Sequence, residues 1–466
     1  MKIDNLWFKY TEEDVTKVQE VCDRYKQCLD NGKTERECVA QVIEMAQQKG
    51  YRELHSVIKE GGTPKAGDKL YAVQMDKSIV LFQMGKKPVS EGMNILGAHI
   101  DSPRIDIKQK PLYEAEGFAY LDTHYYGGIK KYQWTTIPLA LHGVVAKKDG
   151  TVVKISIGEK DDEPVFVITD LLIHLAGEQM AKKADAVIAG EKLDLLIGNR
   201  PLQQSEELDK EEKEAVRANI LRLLSETYGI EEEDFLSADL EIVPAGRARD
   251  LGIDRSMILA YGHDDRVCAF TSVFAMLDLA DEITEHTLCC LLVDKEEIGN
   301  VGATGMASQF FENTIAELVA ATERDSQLLV RRALASSKML SSDVSAGFDP
   351  LYADVYEKKN SAFLAKGLAF NKYTGSRGKR GSSEATAEFV AQIRRIMEDA
   401  DVMYQFSELG KVDAGGGGTI AHLMAEYGMN VIDSGVSVLN MHAPYEVVSK
   451  ADVYEAVRGY RAFLRA

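Results

Sequence analysis

Seven residues in this chain could share one piece of chemistry: His99, Asp101, Asp265, Glu296, Glu297, Asp343 and His442. Most follow a short apolar run. Met93–Gly97 leads to Ala98-His99-Ile100-Asp101, and Met257–Ala260 leads to His263-Asp264-Asp265. Leu288–Val293 leads to Asp294-Lys295-Glu296-Glu297, and Val436–Asn440 leads to Met441-His442. Imidazole and carboxylate together suit Zn, Mn or Co without any thiolate. Two cations about 3.5–4 Å apart need a shared ligand, and a carboxylate can bridge them. Asp265 is the candidate bridge, although its place before a helix beginning near Val267 would also suit an N-cap. In Glu296-Glu297, one carboxylate can bind metal while the other stays free to take a proton from a metal-activated water. Asp101, two residues after His99, could accept from the other ring nitrogen of that histidine. Asp343 sits in Ser341-Ser342-Asp343-Val344, where a turn aspartate is equally natural.

A run of glycines, Gly415-Gly416-Gly417-Gly418-Thr419, precedes a helical stretch from Ile420. Such a loop can present backbone N–H groups to an anion or a developing oxyanion, or can simply connect. It lacks the Gly-Lys-Ser/Thr ending of a phosphate-binding loop, which argues against nucleotide binding.

The elements that position these groups follow from the pattern. Continuous apolar runs are expected of strands buried on both faces. Ligands of open α/β sheets sit beyond the carboxyl ends of such strands, where the polar clusters fall. An α/β fold is therefore expected, with a helix-flanked mixed β-sheet in a catalytic domain. Thr11 and Asp14 form a capping-box pattern ahead of Val15, Val18, Cys22, Tyr25 and Leu29 at helical spacing. Ser449 and Asp452 are expected to cap a C-terminal helix. Between 106 and 244 the texture changes. Val144–Ala146 and Thr151–Ile157 flank Asp149-Gly150, a hairpin signal. Pro164–Ile168 reads as a strand, Glu211–Leu224 as a helix and Glu231–Asp234 as a solvated loop. This predicts a discontinuous catalytic domain, 1–105 and 245–466, with a β-rich domain inserted at 106–244.

The 466 residues carry a formal net charge of −19, which repels phosphate backbones and anionic lipid, so neither nucleic acid nor membrane is expected as a partner. Met1–Tyr10 shows no secretory signal pattern, and no run reaches the roughly 18 apolar residues of a spanning helix. Six cysteines without a Cys-x-x-Cys pair fit reduced thiols in a cytoplasmic protein.

The blocks Ala98-His99-Ile100-Asp101-Ser102-Pro103, Asp265-Arg266, Asp294-Lys295-Glu296-Glu297-Ile298-Gly299 and Met441-His442 resemble, in order and across nearly the whole chain, the M18 metalloaminopeptidases, which include aspartyl aminopeptidase. The resemblance implies hydrolysis of the N-terminal residue from peptide substrates by two divalent ions per subunit, Zn first, with Mn or Co as options. It implies that His99 and Asp343 bind one metal, Glu297 and His442 the other, and that Asp265 bridges. Glu296 would be the general base, and Asp101 would orient His99. Asp349-Pro350 stands where family members often carry His-Pro. His174, in Leu172-Ile173-His174-Leu175, resembles a family histidine of the inserted domain that reaches a neighbouring subunit's site and stabilises the oxyanion. Homo-oligomers are implied, dimers assembling into a tetrahedral dodecamer, so the inserted domain would serve oligomerisation. Gly417, Gly418, Thr419 and Lys372 are the expected substrate contacts. Aspartyl-type members use a lysine near the first side chain; the register puts Asn371 there with Lys372 adjacent, so an acidic preference and a neutral one are both open. Rival functions are a two-metal carboxypeptidase or amide deacylase, or a non-catalytic scaffold.

Overall fold

The computed structural model describes residues 5–202, 214–375 and 378–466. The chain divides into two units, one of 1–102, 248–441 and 446–466, the other of 103–247 and 442–445.

In the first unit the elements that bear on the site are, in chain order, α1 (Glu12–Asn31), β1 (Met93–His99), α2 (His263–Asp278), β2 (Thr287–Val293), β3 (Lys338–Ser342), β4 (Asn430–Gly435) and α3 (Lys450–Arg465). A nine-stranded sheet runs Arg52–Glu53, Lys69–Gln74, Ser78–Gln83, β2, β1, β3, β4, Leu368–Asn371 and Tyr404–Phe406. Its four central strands, β2, β1, β3 and β4, are mutually parallel. Their carboxyl ends therefore lie along one edge, and His99, Asp294 and Asp343 stand at or just past three of them.

Both faces of this sheet are covered, which explains the unbroken apolar runs. Side chains alternate across a strand. Along β2, Leu288, Cys290 and Leu292 enter one core with Val273 and Tyr460 of the flanking helices, while Cys289, Leu291 and Val293 enter another with Ile315 and Leu318. All six cysteines are buried free thiols. Helix α1 begins as its sequence dictates. Thr11 Oγ1 accepts from the Asp14 N–H at 3.2 Å, the Asp14 carboxylate accepts from the Thr11 N–H at 3.0 Å, and Val18, Cys22, Tyr25 and Leu29 form the buried stripe.

Several expectations need correction. Met257–Ala260 and Ser437–Leu439 are not inner strands of the large sheet. They belong to a second, five-stranded sheet with Arg249–Leu251, Glu446–Ser449 and Ser345–Ala346. Periodicity reports burial but not which sheet a strand joins. Ser449 makes no side-chain cap for α3. Asp452 instead accepts from the N–H groups of Ala365 and Gly367, each at 2.7 Å, and so ties a loop to the helix.

The second unit carries a six-stranded antiparallel sheet: Val152–Ile157, Leu139–Ala146, Ala238–Pro244, Arg104–Ala115, Phe118–Tyr126 and Leu195–Gly198. The Asp149-Gly150 hairpin is present. Pro164–Ile168 forms only isolated bridges through Phe166 and Val167. A helix runs Ala215–Tyr228; Glu211–Lys213 lie outside the described residues. Glu231–Asp234 is not a loop but enters a 3-10 turn, with Asp234 buried as its cap partner. Among the described residues no helix is long and apolar enough to cross a membrane.

Candidate active site

The site is assembled at the carboxyl ends of the parallel strands. His99 closes β1 and is 1% exposed. Its Nδ1 lies 3.0 Å from the Asp101 carbonyl oxygen and 3.2 Å from the Asp101 carboxylate. Its Nε2 lies 3.2 Å from Asp264 Oδ1 and 3.9 Å from Asp343 Oδ1. Burial alone would lower the pKa of this imidazole, but the Asp101 and Asp264 hydrogen bonds and the surrounding negative charge raise it well above the ordinary histidine value.

Asp101 does more than face His99. Its Oδ1 accepts from the Glu296 N–H and its Oδ2 from the Glu297 N–H, both at 3.2 Å. One buried carboxylate thus fixes the histidine and the two glutamates on the neighbouring strand end. The glutamates sit on a single turn that Lys295 enters at φ +69° and Gly299 leaves at φ +95°. The Lys295 ammonium lies 3.2 Å from Asp294 Oδ2, which also accepts from Thr304 Oγ1 at 2.6 Å, so this unusual backbone is held by side-chain contacts. Replacing Asp101 by Asn should therefore lower metal affinity and kcat together, each by about 10- to 100-fold, as losses of groups behind a metal ligand do. Metal content after dialysis against a weak chelator, with steady-state rates on the same samples, measures this.

Asp264 is the carboxylate that sequence reasoning missed. It and Asp265 have non-helical backbone angles at the start of α2. The Asp264 N–H donates to Glu446 Oε2 at 2.9 Å, and its carbonyl accepts from Ser102 Oγ at 2.6 Å. His263 beside it is buried; its Nδ1 meets the Tyr25 hydroxyl at 2.7 Å and its Nε2 meets the Ile258 carbonyl at 3.2 Å. With Nε2 donating, Nδ1 accepts from tyrosine, and burial holds the imidazole neutral, down to about 3. Asp265 is fully buried against the Cys268 thiol, and burial first, then Asp264 and Glu296, pushes it well above the usual carboxylate range despite His99.

Asp343 follows β3, its N–H donating to the Ser434 carbonyl at 2.8 Å. Gly435 is required beside it, since a Cβ there would lie 1.8 Å from the Asp343 carbonyl oxygen. Burial first, then Asp265, raises the Asp343 carboxyl. Asp349 is a cap: it accepts from the Leu351 N–H at 2.9 Å at the start of a turn over Pro350–Val355.

Two overlapping groupings result, His99 with Asp264 and Glu297, and His99 with Glu296 and Asp343, the ligand atoms of each lying within 4.8 Å of one another. Neither grouping contains Asp265 or His442. His442 falls in the second unit, where at φ +65° its Nδ1 lies 2.9 Å from the Gly128 carbonyl oxygen. The donor set suits divalent ions. Four carboxylates meet one imidazole, and burial with mutual repulsion disfavours the charged form of Asp343 until cations neutralise the cluster.

The remaining candidates are placed as follows. In the glycine loop, the Gly417 carbonyl accepts from the Gly375 N–H at 2.7 Å, Gly418 is open on its Cβ side to 4 Å, and Thr419 Oγ1 donates to Asp433 Oδ1 at 2.6 Å. Lys372 is half-exposed with its ammonium 3.5 Å from Glu384. Asn371 is buried, its amide within 2.7 Å of Ser407 Oγ, and so serves the scaffold. In the second unit, His174 lies on a single turn over Ile173–Leu175, among the exposed apolar side chains of Leu171, Leu172, Ile173 and Leu175.

Residues 28–464 match the family model described as aminopeptidase I zinc metalloprotease (M18). The chain belongs to the M18 family. It is 55% identical over 460 residues to the probable M18 family aminopeptidase 1 of Clostridium acetobutylicum, covering 99% of this chain and 97% of that one. The probable M18 family aminopeptidase 1 of Thermotoga maritima is 41% identical over 469 residues, covering 100% and 99%. Among solved structures, Clostridium acetobutylicum aminopeptidase I superposes with a TM-score of 0.92 at 53% identity, each chain fully covered. The M18 aminopeptidase of Thermotoga maritima gives 0.93 at 40% identity, covering 100% and 99%. This M18 protein is therefore an enzyme, a zinc metalloprotease of the aminopeptidase class, as its motifs implied. Its helix-flanked mixed sheet with a separate β-rich unit is the M18 architecture.

Proposed function

We propose that this aminopeptidase works with a pair of divalent ions, held by His99, Asp264, Glu297 and Asp343, with His442 added by the family resemblance and Asp264 in place of Asp265 as the shared ligand. The supporting observation is the pair of ligand groupings around His99, into which Asp264 and not Asp265 enters. When bound, such ions supply Lewis acidity to the scissile carbonyl and make water a stronger acid. Glu297 shares a grouping with Asp264, which fits a ligand, and Glu296 takes the proton from the attacking water and returns it to the leaving amine. Asp101 holds both glutamates and His99 in register. Gly417 and Gly418 leave room for substrate backbone to approach. An aminopeptidase requires a free N-terminus, so N-acetylated peptides should be inert; a carboxypeptidase or deacylase would cleave them.

Acidic N-termini would call for a spare cation beside the first side chain. Lys372 is the candidate; Glu384 lies 3.5 Å from it and 3.0 Å from Lys379, so the three groups keep one net positive charge, but it is shared between two half-exposed lysines and screened by water. Lys372→Ala should shift the ratio of Asp- to Leu-anilide kcat/KM by less than about 10-fold. A larger fall would make Lys372 the specificity determinant.

The family reading covers the exposed apolar turn around His174 with a second copy of this chain. A relative of the same fold, 20% identical with a TM-score of 0.76, is solved as the S. cerevisiae mApe1 dodecamer. Ile173→Asp should convert the sized assembly to smaller species and lower activity with it, because a charge in an apolar contact is costly. An unchanged elution profile would remove the turn from the interface.

A further inference from the structure

Asp433 belongs to neither ligand grouping found among the described residues, yet it is buried on a strand beside the site. It lies on β4, paired in register with Ser341 of β3 and with Asn371 of the next strand, and it is 3% exposed. Its Oδ1 accepts from Thr419 Oγ1 at 2.6 Å and from Ser341 Oγ at 3.3 Å. Its Oδ2 is buried and has no hydrogen-bond partner among the described residues. A carboxylate buried on this scale is costly unless it is fully hydrogen-bonded or paired, and here only one oxygen is bonded among the described residues. Burial pushes it up to about 7, against the lowering by the two hydroxyls, and the charge of Glu296 adds to the rise, so Asp433 and the candidate base share one electrostatic environment.

Thr419 closes the glycine loop at its C-terminal end. Beyond its bond to Asp433, its Oγ1 accepts from the Ala421 N–H at 3.3 Å and its carbonyl lies 2.8 Å from His422 Nδ1, at the start of the short helix Ala421–Ala425. Upstream, the Gly417 carbonyl accepts from the Gly375 N–H, and among the described residues Gly418 meets nothing closer than 4.0 Å on its Cβ side. A loop of four glycines has no side chains to hold it. Its C-terminal end is held by the burial of Ile420 in the core with Met339 and Val431, and its hydrogen-bonded anchor to the sheet is the Thr419–Asp433 bond.

We infer that Asp433 is a positioning residue that acts through Thr419, fixing the Gly415–Gly418 backbone beside the catalytic carboxylates so that its N–H groups meet the substrate in the transition state. This rests on the aminopeptidase reading above for what the loop does, but the anchor itself can be read without turnover. The required feature at 433 is a hydrogen-bond acceptor on Oδ1, which asparagine keeps and alanine lacks. At 419 it is a hydroxyl, which serine keeps and valine lacks.

The test compares wild type with Asp433→Ala, Asp433→Asn, Thr419→Val, Thr419→Ser and the double Asp433→Ala/Thr419→Val. Three readouts are taken: amide hydrogen exchange of the 415–421 segment, metal content, and kcat and KM on an aminoacyl anilide. Expected are faster exchange in that segment and a kcat lowered by about 10- to 100-fold in Asp433→Ala and Thr419→Val, with KM moved far less and metal content unchanged. The double variant should be no worse than either single, because both remove one contact. Asparagine and serine should recover most of the loss. The inference is overturned if exchange at 415–421 does not change, if the two single effects multiply in the double, or if serine fails to rescue. Should Asp433→Ala not fold, Thr419→Val and Thr419→Ser carry the same comparison. If wild type cleaves no aminoacyl substrate, the functional reading fails, while the exchange data still decide whether Asp433 anchors the loop.

Discussion

Glu296→Gln should retain its metal and lose about three orders of magnitude in kcat, whereas Glu297→Gln should lose metal as well as activity. A general base placed beside an activated water contributes about 10²–10⁴-fold. Gln is nearly isosteric with Glu and cannot take the proton. Both glutamates are within reach of His99 and share their backbone anchor in Asp101, so geometry alone leaves their roles exchangeable. Metal content separates them. Glu297 shares its grouping with Asp264, the proposed common ligand, so removing its negative charge weakens the site itself. Inductively coupled plasma analysis of both purified variants, with anilide turnover on the same samples, is the measurement. The reverse pattern, metal lost in Glu296→Gln and kept in Glu297→Gln, would exchange the two assignments.

The second large effect concerns the adjacent aspartates. Asp264→Asn should abolish tight metal binding and lower kcat/KM by at least about 100-fold, more than losses confined to groups behind the ligands. Asp265→Asn should be milder in metal content. Asp264 is 3.2 Å from His99 Nε2 and is clamped through its backbone by Glu446 and Ser102. Asp265 is turned toward Cys268 and is raised strongly by burial, so an amide there removes a group that already disfavours its charged form. Isothermal titration of metal-stripped variants reads both. Equal metal loss in the two variants, or a greater loss in Asp265→Asn, would return the shared-ligand role to Asp265.

The sequence made the strand-end clusters legible because buried parallel strands leave a strong signal, unbroken apolar runs ending in His, Asp or Glu. His99, Asp101, Glu296 and Glu297 could be singled out on that basis, Asp343 took its ligand role only from the family resemblance, and the structure brings all five together. The choice between Asp264 and Asp265 could not be read, because it turns on backbone angles at a helix start that no periodicity encodes. The sheet that holds Met257–Ala260 and Ser437–Leu439 was equally hidden, since strand pairing is a long-range property. Asp433 and Glu446 carry no local mark, and Ser102, though inside the block that carries the resemblance, carries none for its role. Each acts on a group far from it in sequence, as in the bond from Ser102 to Asp264. For Asn371 and Lys372 a register match suggests substrate contact, and the contacts they make in the structure are with Ser407 and Glu384, which no local sequence signal announces.

The measurement that bears most directly on the central claim is reconstitution of the stripped enzyme. The protein is freed of metal with a chelator and titrated with Zn, Mn or Co. At each step, turnover is followed on a free aminoacyl anilide and on its N-acetylated counterpart. The expected result is no activity without metal, recovery that saturates near two ions per subunit, and cleavage of the free substrate only. Recovery complete at one ion would contradict the paired site, and cleavage of the acetylated substrate, or of neither substrate at any loading, would contradict the aminopeptidase mechanism.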